Sequence, residues 1–540
     1  MSFTELPPGV VRLHGPLGQA LKRVIENRLK KINYRQLVDP FRFRNETDLR
    51  WRCEFWGKVV RSAVYAWRAT GDPELGKLLE NTVADLLSTQ SADGVISSYP
   101  DALRTRGWDV WGRKYLLAGL NACLREYGKD PQVIAAAGRM LDALLRDTRG
   151  GVFQDYGEHF GLAGASILRH LTDFAVISGK EKYLDAAKKL ASCGCCHLHD
   201  IFYAARQMVP PMAISNGKAY EMTSCFQGAC VLGRLLNDPG LRDAAKCYWE
   251  LLRGREIAVT GAGGMKDRHG EFWYDGKFNQ HRSDMGSMGE TCVTVTWLSF
   301  CRDMLAGEEN SVIADAMERA FYNAMLGSVS PDGAAFTHAN PFLDGGWKKP
   351  AQDQMADFPG HDCCLAQGPF GLALAPCVAV MRSSRGYVVN LYEDLSADGI
   401  LRIKGNYPSS GRVKITVEKT GGFELLLRIP GDFACRVEGR QVPGGAYLPL
   451  LRQWRAGDAV EVEFDLSERL EYSCDGKFSA ALAGPLVLCR CAKQPEKHLF
   501  RSRDRFDYAS AGSRFAAEDV FTVWEKSSGS GNPENKNELT

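Results

Sequence analysis

Three things are missing from this sequence, and each absence removes a class of function. Surplus charge is one: 67 Lys and Arg stand against 65 Asp and Glu, a formal net charge of +2 over 540 residues. Such a balanced chain has no basic field to hold nucleic acid or an anionic membrane, and neither is an expected partner. A long hydrophobic run is another. The longest apolar stretch, 368–381, is too short to cross a bilayer and is broken by Pro369 and Pro376. Third, the residues from Met1 to Pro8 carry no basic stretch followed by an apolar one, so no secretory leader is expected.

Cysteine, by contrast, is abundant, with 17 residues beside 10 His. An odd number of scattered cysteines makes a poor disulfide framework, and reduced thiols in a cytoplasmic protein are expected. Some are then available for a metal or for chemistry. The rest of the composition, 45% apolar and 24% charged, is that of a soluble globular protein long enough for a large core and a second domain.

From about residue 15 to residue 325 the apolar residues recur at three and four positions, and the helices they mark end in similar turns. These are Gly71-Asp72-Pro73, Gly128-Lys129-Asp130, Gly179-Lys180, Asn237-Asp238-Pro239 and Gly307-Glu308. Their separation of roughly 50–70 residues is that of a repeated helical hairpin. The loops after the second helix of each pair, such as Asp93 to Tyr99 and Gly151 to His159, are rich in Gly and aromatic residues, as a shared sugar pocket requires. The expected fold is mainly α: a closed (α/α)6 barrel over 1–385, with one pair less visible than the other five. After about Gly386 short strand-like runs follow, at 387–392, 413–417, 423–429 and 459–464, separated by Pro, Gly and Asp. A β-sandwich domain is expected over 386–540, with a flexible segment around 526–533. Two roles are open to that domain: packing on the barrel or mediating a homo-oligomer.

Two short pieces far apart in sequence carry the strongest chemical signal. Gly289-Glu290-Thr291-Cys292 opens a helix, and His361-Asp362-Cys363-Cys364 sits on a loop before another apolar segment. Together they supply one carboxylate and three thiols, a donor set suited to tetrahedral zinc. The bland alternative is that all three cysteines are small buried residues, as free cysteines commonly are. Upstream, Thr260-Gly261-Ala262-Gly263-Gly264 leads to His269-Gly270-Glu271-Phe272-Trp273. No GxxxxGK[ST] follows, so the glycines are not a phosphate cradle. Glu271 beside two aromatic residues is a candidate general acid, against the alternative of a solvated loop carboxylate. The segment Cys193-Gly194-Cys195-Cys196-His197-Leu198-His199 is the most metal-like by composition. It ends a helix, and a packed helix end and loop is the favoured reading.

The order Thr260-Gly261, Glu271-Phe272, Glu290-Thr291-Cys292, Cys363-Cys364 and Val389-Asn390-Leu391-Tyr392 resembles glycoside hydrolase family 127, the β-L-arabinofuranosidases and their relatives. The resemblance extends over most of the chain. It implies an (α/α)6 barrel followed by β-sandwich material, and a zinc ion (Zn2+) held by Glu290, Cys292, Cys363 and Cys364. It also implies Cys363 as nucleophile and Glu271 as general acid/base of a retaining hydrolysis. The blocks that match less characterised branches offer Trp111, Lys114, His159, Tyr220 and Glu221, with Glu158, as contacts to a carbohydrate substrate. Lys114 suits a carboxylated sugar, or alternatively an ion pair with Asp109. The interval from Glu271 to Glu290 is a few residues longer than the family pattern. A carbohydrate lyase, or a noncatalytic sugar-binding protein with structural zinc, are the competing readings.

Overall fold

In three of the helix-ending turns Asp precedes Pro, and the physical reason is capping. Asp72, Asp130 and Asp238 each accept a backbone N–H from the first turn of the helix they open, with proline at the first helical position. On the other side of the turns, Gly71, Gly179 and Asn237 take the left-handed backbone that stops the preceding helix. These positions come from a computed structural model, which describes residues 2–264, 270–274, 288–341, 355, 358–473, 476, 479–488, 498–501 and 507–509. His269 and the segment 526–533 lie outside the described residues.

Six helices form an inner ring. They are α2 (Phe55–Thr70), α4 (Asp109–Glu126), α6 (Leu168–Ser178), α8 (Ala219–Leu236), α10 (Thr291–Gly307) and α12 (Cys363–Ala373). Each packs against the next, and α12 closes the circle on α2. Outside them lie α3 (Pro73–Leu87), α5 (Pro131–Asp147), α7 (Glu181–Ser192), α9 (Pro239–Leu251) and α11 (Ser311–Ala320). The sixth outer position is filled by α1 (Pro16–Asn27), which packs on α12 and α2. The chain thus forms an (α/α)6 barrel. Its sixth pair is made from opposite ends of the helical region, so no turn marks it in the sequence. Inner and outer helices differ as their positions demand. Every residue of α12, and of α10 from Thr291 to Leu305, is buried, whereas α7 buries only the stripe Tyr183, Ala186, Ala187, Leu190 and Ala191. Close packing in the ring needs Gly57, where a Cβ would stand 2.0 Å from the Tyr115 carbonyl oxygen.

The apolar run 368–381 is divided among the end of α12, a short helix Ala375–Ala379 and a strand, and no described helix is long and apolar enough to cross a membrane. Beyond the barrel the described residues form two large sheets, a three-stranded sheet of Glu468–Tyr472, Ser479–Ala483 and Leu486–Val487, and a pair of His498–Arg501 with Asp507–Ala509. One large sheet orders β1 (Thr4–Glu5), β5 (Val380–Arg382), β6 (Gly386–Val389), β10 (Gly421–Ile429) and β13 (Ala446–Trp454). The other runs from β12 (Arg440–Val442) and β11 (Cys435–Val437) through β14 (Ala459–Phe464), β9 (Arg412–Val417) and β8 (Leu401–Lys404) to β7 (Leu395–Ala397) and β2 (Val11–Leu13). The first residues of the chain therefore complete the C-terminal sheets, with Thr4 opposite Arg382 and Val11 opposite Ala397. A buried ion-pair cluster fastens sheet to barrel: Arg428 reaches Asp315 at 2.5 Å and Glu318 at 2.6 Å on α11. At the other end of the barrel a small antiparallel pair, β3 (Met288–Glu290) and β4 (Ala339–Pro341), sets Glu290 opposite Ala339.

Candidate active site

The N-termini of the inner helices converge, and the candidate residues lie there. Glu290 is the N-cap of α10, held by β3/β4 pairing and by its own N–H to the Gly263 carbonyl at 2.8 Å. This is the use of the glycine-rich loop: Gly263 lies against Glu290, and Gly264, with φ +102°, passes so close to Gly270 that a Cβ would meet its carbonyl at 1.8 Å. Cys363 and Cys364, expected on a loop, form the first turn of α12. Asp362 caps that turn, accepting the N–H of Cys364 at 2.7 Å and of Leu365 at 3.2 Å.

Four donors meet at this point. Glu290, His338, Cys363 and Cys364 each place a ligand atom within 4.8 Å of the others. Glu290 Oε1 is 3.8 Å from Cys363 Sγ and 3.6 Å from Cys364 Sγ, the two sulfurs are 3.8 Å apart, and His338 Nδ1 is 3.6 Å from Cys364 Sγ. Cys292 stands beside this set with its buried thiol bonded to both Cys363 and Cys364. Among the described residues no other group of three or more such side chains gathers.

The electrostatics of the cluster are uneven. Hydrogen bonds from the Cys292 and Cys364 thiols, with His338 and Lys58 behind them, hold the Cys363 thiol well below the usual range. The start of a helix acts in the same direction. Burial pushes Cys292, Cys364 and the Glu290 carboxyl upward, and negative charge on Cys363 adds to this at all three. Glu290 Oε2 is buried with no hydrogen-bond partner among the described residues. A cation among these atoms relieves both the orphaned oxygen and the crowded anions, and carboxylate, imidazole and thiolate donors suit zinc. The residues fit the metal that the family resemblance implies.

Glu271 lies on a short stretch strapped to the start of α8. Its carbonyl accepts Ala219 N–H at 2.8 Å, and Trp273 N–H reaches the Gly217 carbonyl at 2.8 Å. Its carboxylate is about one-third exposed and pairs with Lys218 Nζ at 2.5 Å. Trp111 Nε1 donates to Glu54 Oε2 at 2.5 Å, and the same Glu54 pairs with Lys58 at 2.7 Å. Lys114 does not pair with Asp109, which is taken by Arg113 at 2.9 Å. Its Nζ has no hydrogen-bond partner among the described residues and sits 3.8 Å from the Trp111 ring centroid and 4.1 Å from that of Tyr115. Burial, with Arg61 and Lys58 nearby, holds its ammonium well below the ordinary lysine range. Tyr220 donates to Gln367 at 2.8 Å and meets the Tyr115 hydroxyl. Glu221 is buried, 3.8 Å from Lys218, with Oε2 unpartnered among the described residues. His159 lies between the rings of Trp108 and Phe272, 3.1 Å from Asn216 Nδ2, and burial lowers its basicity. Glu158 is exposed.

Sequence reasoning missed His338, Lys218, Glu54 and Lys58. Only the last two left a trace, an acid and a base four apart at a helix start. The Cys193–His199 segment follows the end of α7, with Cys195 and Cys196 buried, Cys196 Sγ 3.5 Å from Ser215 Oγ, and His199 Nε2 accepting Ser215 N–H at 3.2 Å.

Comparison with known proteins places the chain among the glycoside hydrolases. More narrowly, it belongs to glycoside hydrolase family 127: the family model "Beta-L-arabinofuranosidase, GH127 catalytic domain" matches residues 19–371, and the GH127 middle-domain model matches 388–466. A non-reducing end β-L-arabinofuranosidase of Bifidobacterium longum subsp. longum is 24% identical over 501 residues, 80% of this chain and 74% of that protein. Two solved structures share the fold. A GH127 β-arabinofuranosidase superposes with a TM-score of 0.71 at 18% identity, over 91% of this chain and 86% of its own. A GH127 β-L-arabinofuranosidase from Geobacillus stearothermophilus T6 does so with a TM-score of 0.66 at 20% identity, over 89% and 86%.

Proposed function

We propose that this enzyme is a retaining, zinc-dependent glycosidase that removes a β-L-arabinofuranosyl or closely related sugar, with Cys363 as nucleophile and Glu271 as acid/base. The observation that carries this reading is the convergence of the buried Cys363, in the first turn of α12, with Glu290, His338 and Cys364. Glu290, Cys363 and Cys364, with Cys292 or His338 as the fourth donor, would hold the zinc. When bound, the ion supplies Lewis acidity that favours thiolate over thiol.

The chain's own residues then carry the chemistry. The Cys363 thiolate attacks the anomeric carbon. A C–S bond forms as the C–O bond to the leaving group breaks, and Glu271 gives its proton to the departing oxygen. Water next gives a proton to Glu271 and attacks the same carbon. The C–S bond breaks, its electron pair returns to sulfur, and two inversions retain configuration. Lys218 Nζ, 2.5 Å from the Glu271 carboxylate, fixes the position of that carboxylate. Trp111 and Tyr220 offer faces to the sugar, while Lys114, Glu221 and His159 offer polar atoms to its hydroxyls.

Proton NMR of the first product released from an aryl β-L-arabinofuranoside tests the reading. A retained anomer is expected; an inverted anomer contradicts the thiolate mechanism, and an unsaturated product indicates a lyase.

A further inference from the structure

One sector of the rim concentrates left-handed backbone. It comprises 157–161, 193–200 and 207–217, and so includes the cysteine- and histidine-rich segment that the metal site leaves unused. Five non-glycine residues in it, His159, Phe160, Cys195, Met208 and Ser215, hold left-handed backbone with φ between 54° and 58°. L-residues adopt that conformation only where surrounding contacts impose it, and such strain collects at functional sites. The contacts are present. His197 N–H donates to the Phe160 carbonyl at 3.2 Å, Ser215 N–H to His199 Nε2 at 3.2 Å, and Asn216 Nδ2 is 3.1 Å from His159 Nδ1.

What this braced backbone presents to water is apolar. Phe160 is 41% exposed, Leu198 51%, Met208 50% and Met212 44%. The Phe160 and His197 rings meet edge to face at 5.6 Å. Exposed apolar side chains on a fixed, strained frame point to a ligand.

The position of Glu271 identifies the occupant. The leaving group's oxygen must reach the Glu271 carboxyl, so the rest of the leaving group lies against the elements that carry Glu271. Those elements are the start of α8 and the 207–217 segment leading into it, to which the other two segments are tied. We infer that Phe160, Leu198 and Met212 form a binding surface for the leaving-group sugar, whose C–H face packs on the Phe160 ring while His197 and His199 border it. Aromatic and aliphatic surface edged by polar groups is the chemistry that recognises a sugar ring. The inference rests on the glycosidase reading.

The test compares kcat/KM for a methyl β-L-arabinofuranoside and a β-L-arabinofuranosyl disaccharide in wild type, Phe160→Gly and Met212→Ser. Glycine adopts the backbone at position 160 without strain, so Phe160→Gly removes the ring and keeps the fold, which its melting temperature checks. The expected result is that the wild-type preference for the disaccharide falls about tenfold in each variant, through KM. Unchanged preference, with both glycosides still cleaved, overturns the surface and leaves the glycosidase reading standing. Unchanged preference with loss of a dimer on size exclusion assigns the surface to a second copy and equally overturns it. Failure of the wild type to cleave either glycoside overturns the glycosidase reading, and this inference with it.

Discussion

Two cysteine-rich segments of this chain look alike on paper and differ in the fold. Cys193 to His199 packs three thiols and two imidazoles into seven residues, yet its side chains diverge into a helix end, a serine hydroxyl and a neighbouring loop. Cys363-Cys364 is sparser, and its partners Glu290, Cys292 and His338 come from 25 or more residues away in sequence. Ligand density along the chain is therefore a weaker guide than convergence across the barrel. A helix N-cap, a short strand pair and the first turn of another helix bring four donors to one point, while the denser segment braces the rim.

Breaking the first cluster at sulfur has the largest expected effect. Cys363→Ala lowers kcat on an aryl β-L-arabinofuranoside by about 10⁴-fold, roughly 5.5 kcal/mol of barrier, measured by release of the aryl group. Glu271→Gln costs about 10²–10³-fold on the same substrate. Zinc content sharpens the contrast between the two segments. Cys292→Ser loses most of the metal and His338→Ala weakens its retention about 10–100-fold, whereas Cys195→Ser and Cys196→Ser leave the zinc found by metal analysis unchanged.

Most of the barrel is legible in the amino-acid sequence. Asp72-Pro73, Asp238-Pro239 and the glycines that precede or replace them are local punctuation, and capping acts within a single turn of helix. The sixth hairpin is not legible, because α1 and α12 meet only when the ring closes. Nor is the pairing of β1 and β2 with the C-terminal sheets, since strands of two or three residues carry no periodicity and owe their form to distant partners. In the site, Glu290, Cys292, Cys363 and Cys364 stand out by residue type. His338 does not: it is a lone histidine before a three-residue strand, and only β3/β4 pairing brings it to Cys364. Lys218 is hidden for a similar reason, its partner Glu271 being far along the chain.

Smaller effects probe buried charge elsewhere. Lys114→Met removes a buried amino group with no hydrogen-bond partner among the described residues, so unfolding free energy rises by about 1–3 kcal/mol in denaturant titration while KM for the glycoside increases. Glu393 is buried against the start of α1, where Leu17 and Gly18 N–H groups reach it at 3.2 Å, and burial pushes its carboxyl up to about 8. The folded chain then keeps a proton that the unfolded chain releases near 4.5, so this group's contribution is full below pH 4.5 and is lost as pH rises through about 8. Melting temperature should fall over that window in the wild type, and less steeply in Glu393→Gln.

The most direct measurement concerns the Cys363 sulfur. In Glu271→Gln, an aryl β-L-arabinofuranoside with a good leaving group still transfers its sugar, but water is no longer activated to release it. Peptide mass spectrometry of the rapidly quenched variant should find one pentosyl unit on the peptide containing Cys363. A pentosyl unit on any other residue, or continued turnover with Cys363 unmodified and replaceable by alanine, would contradict the account.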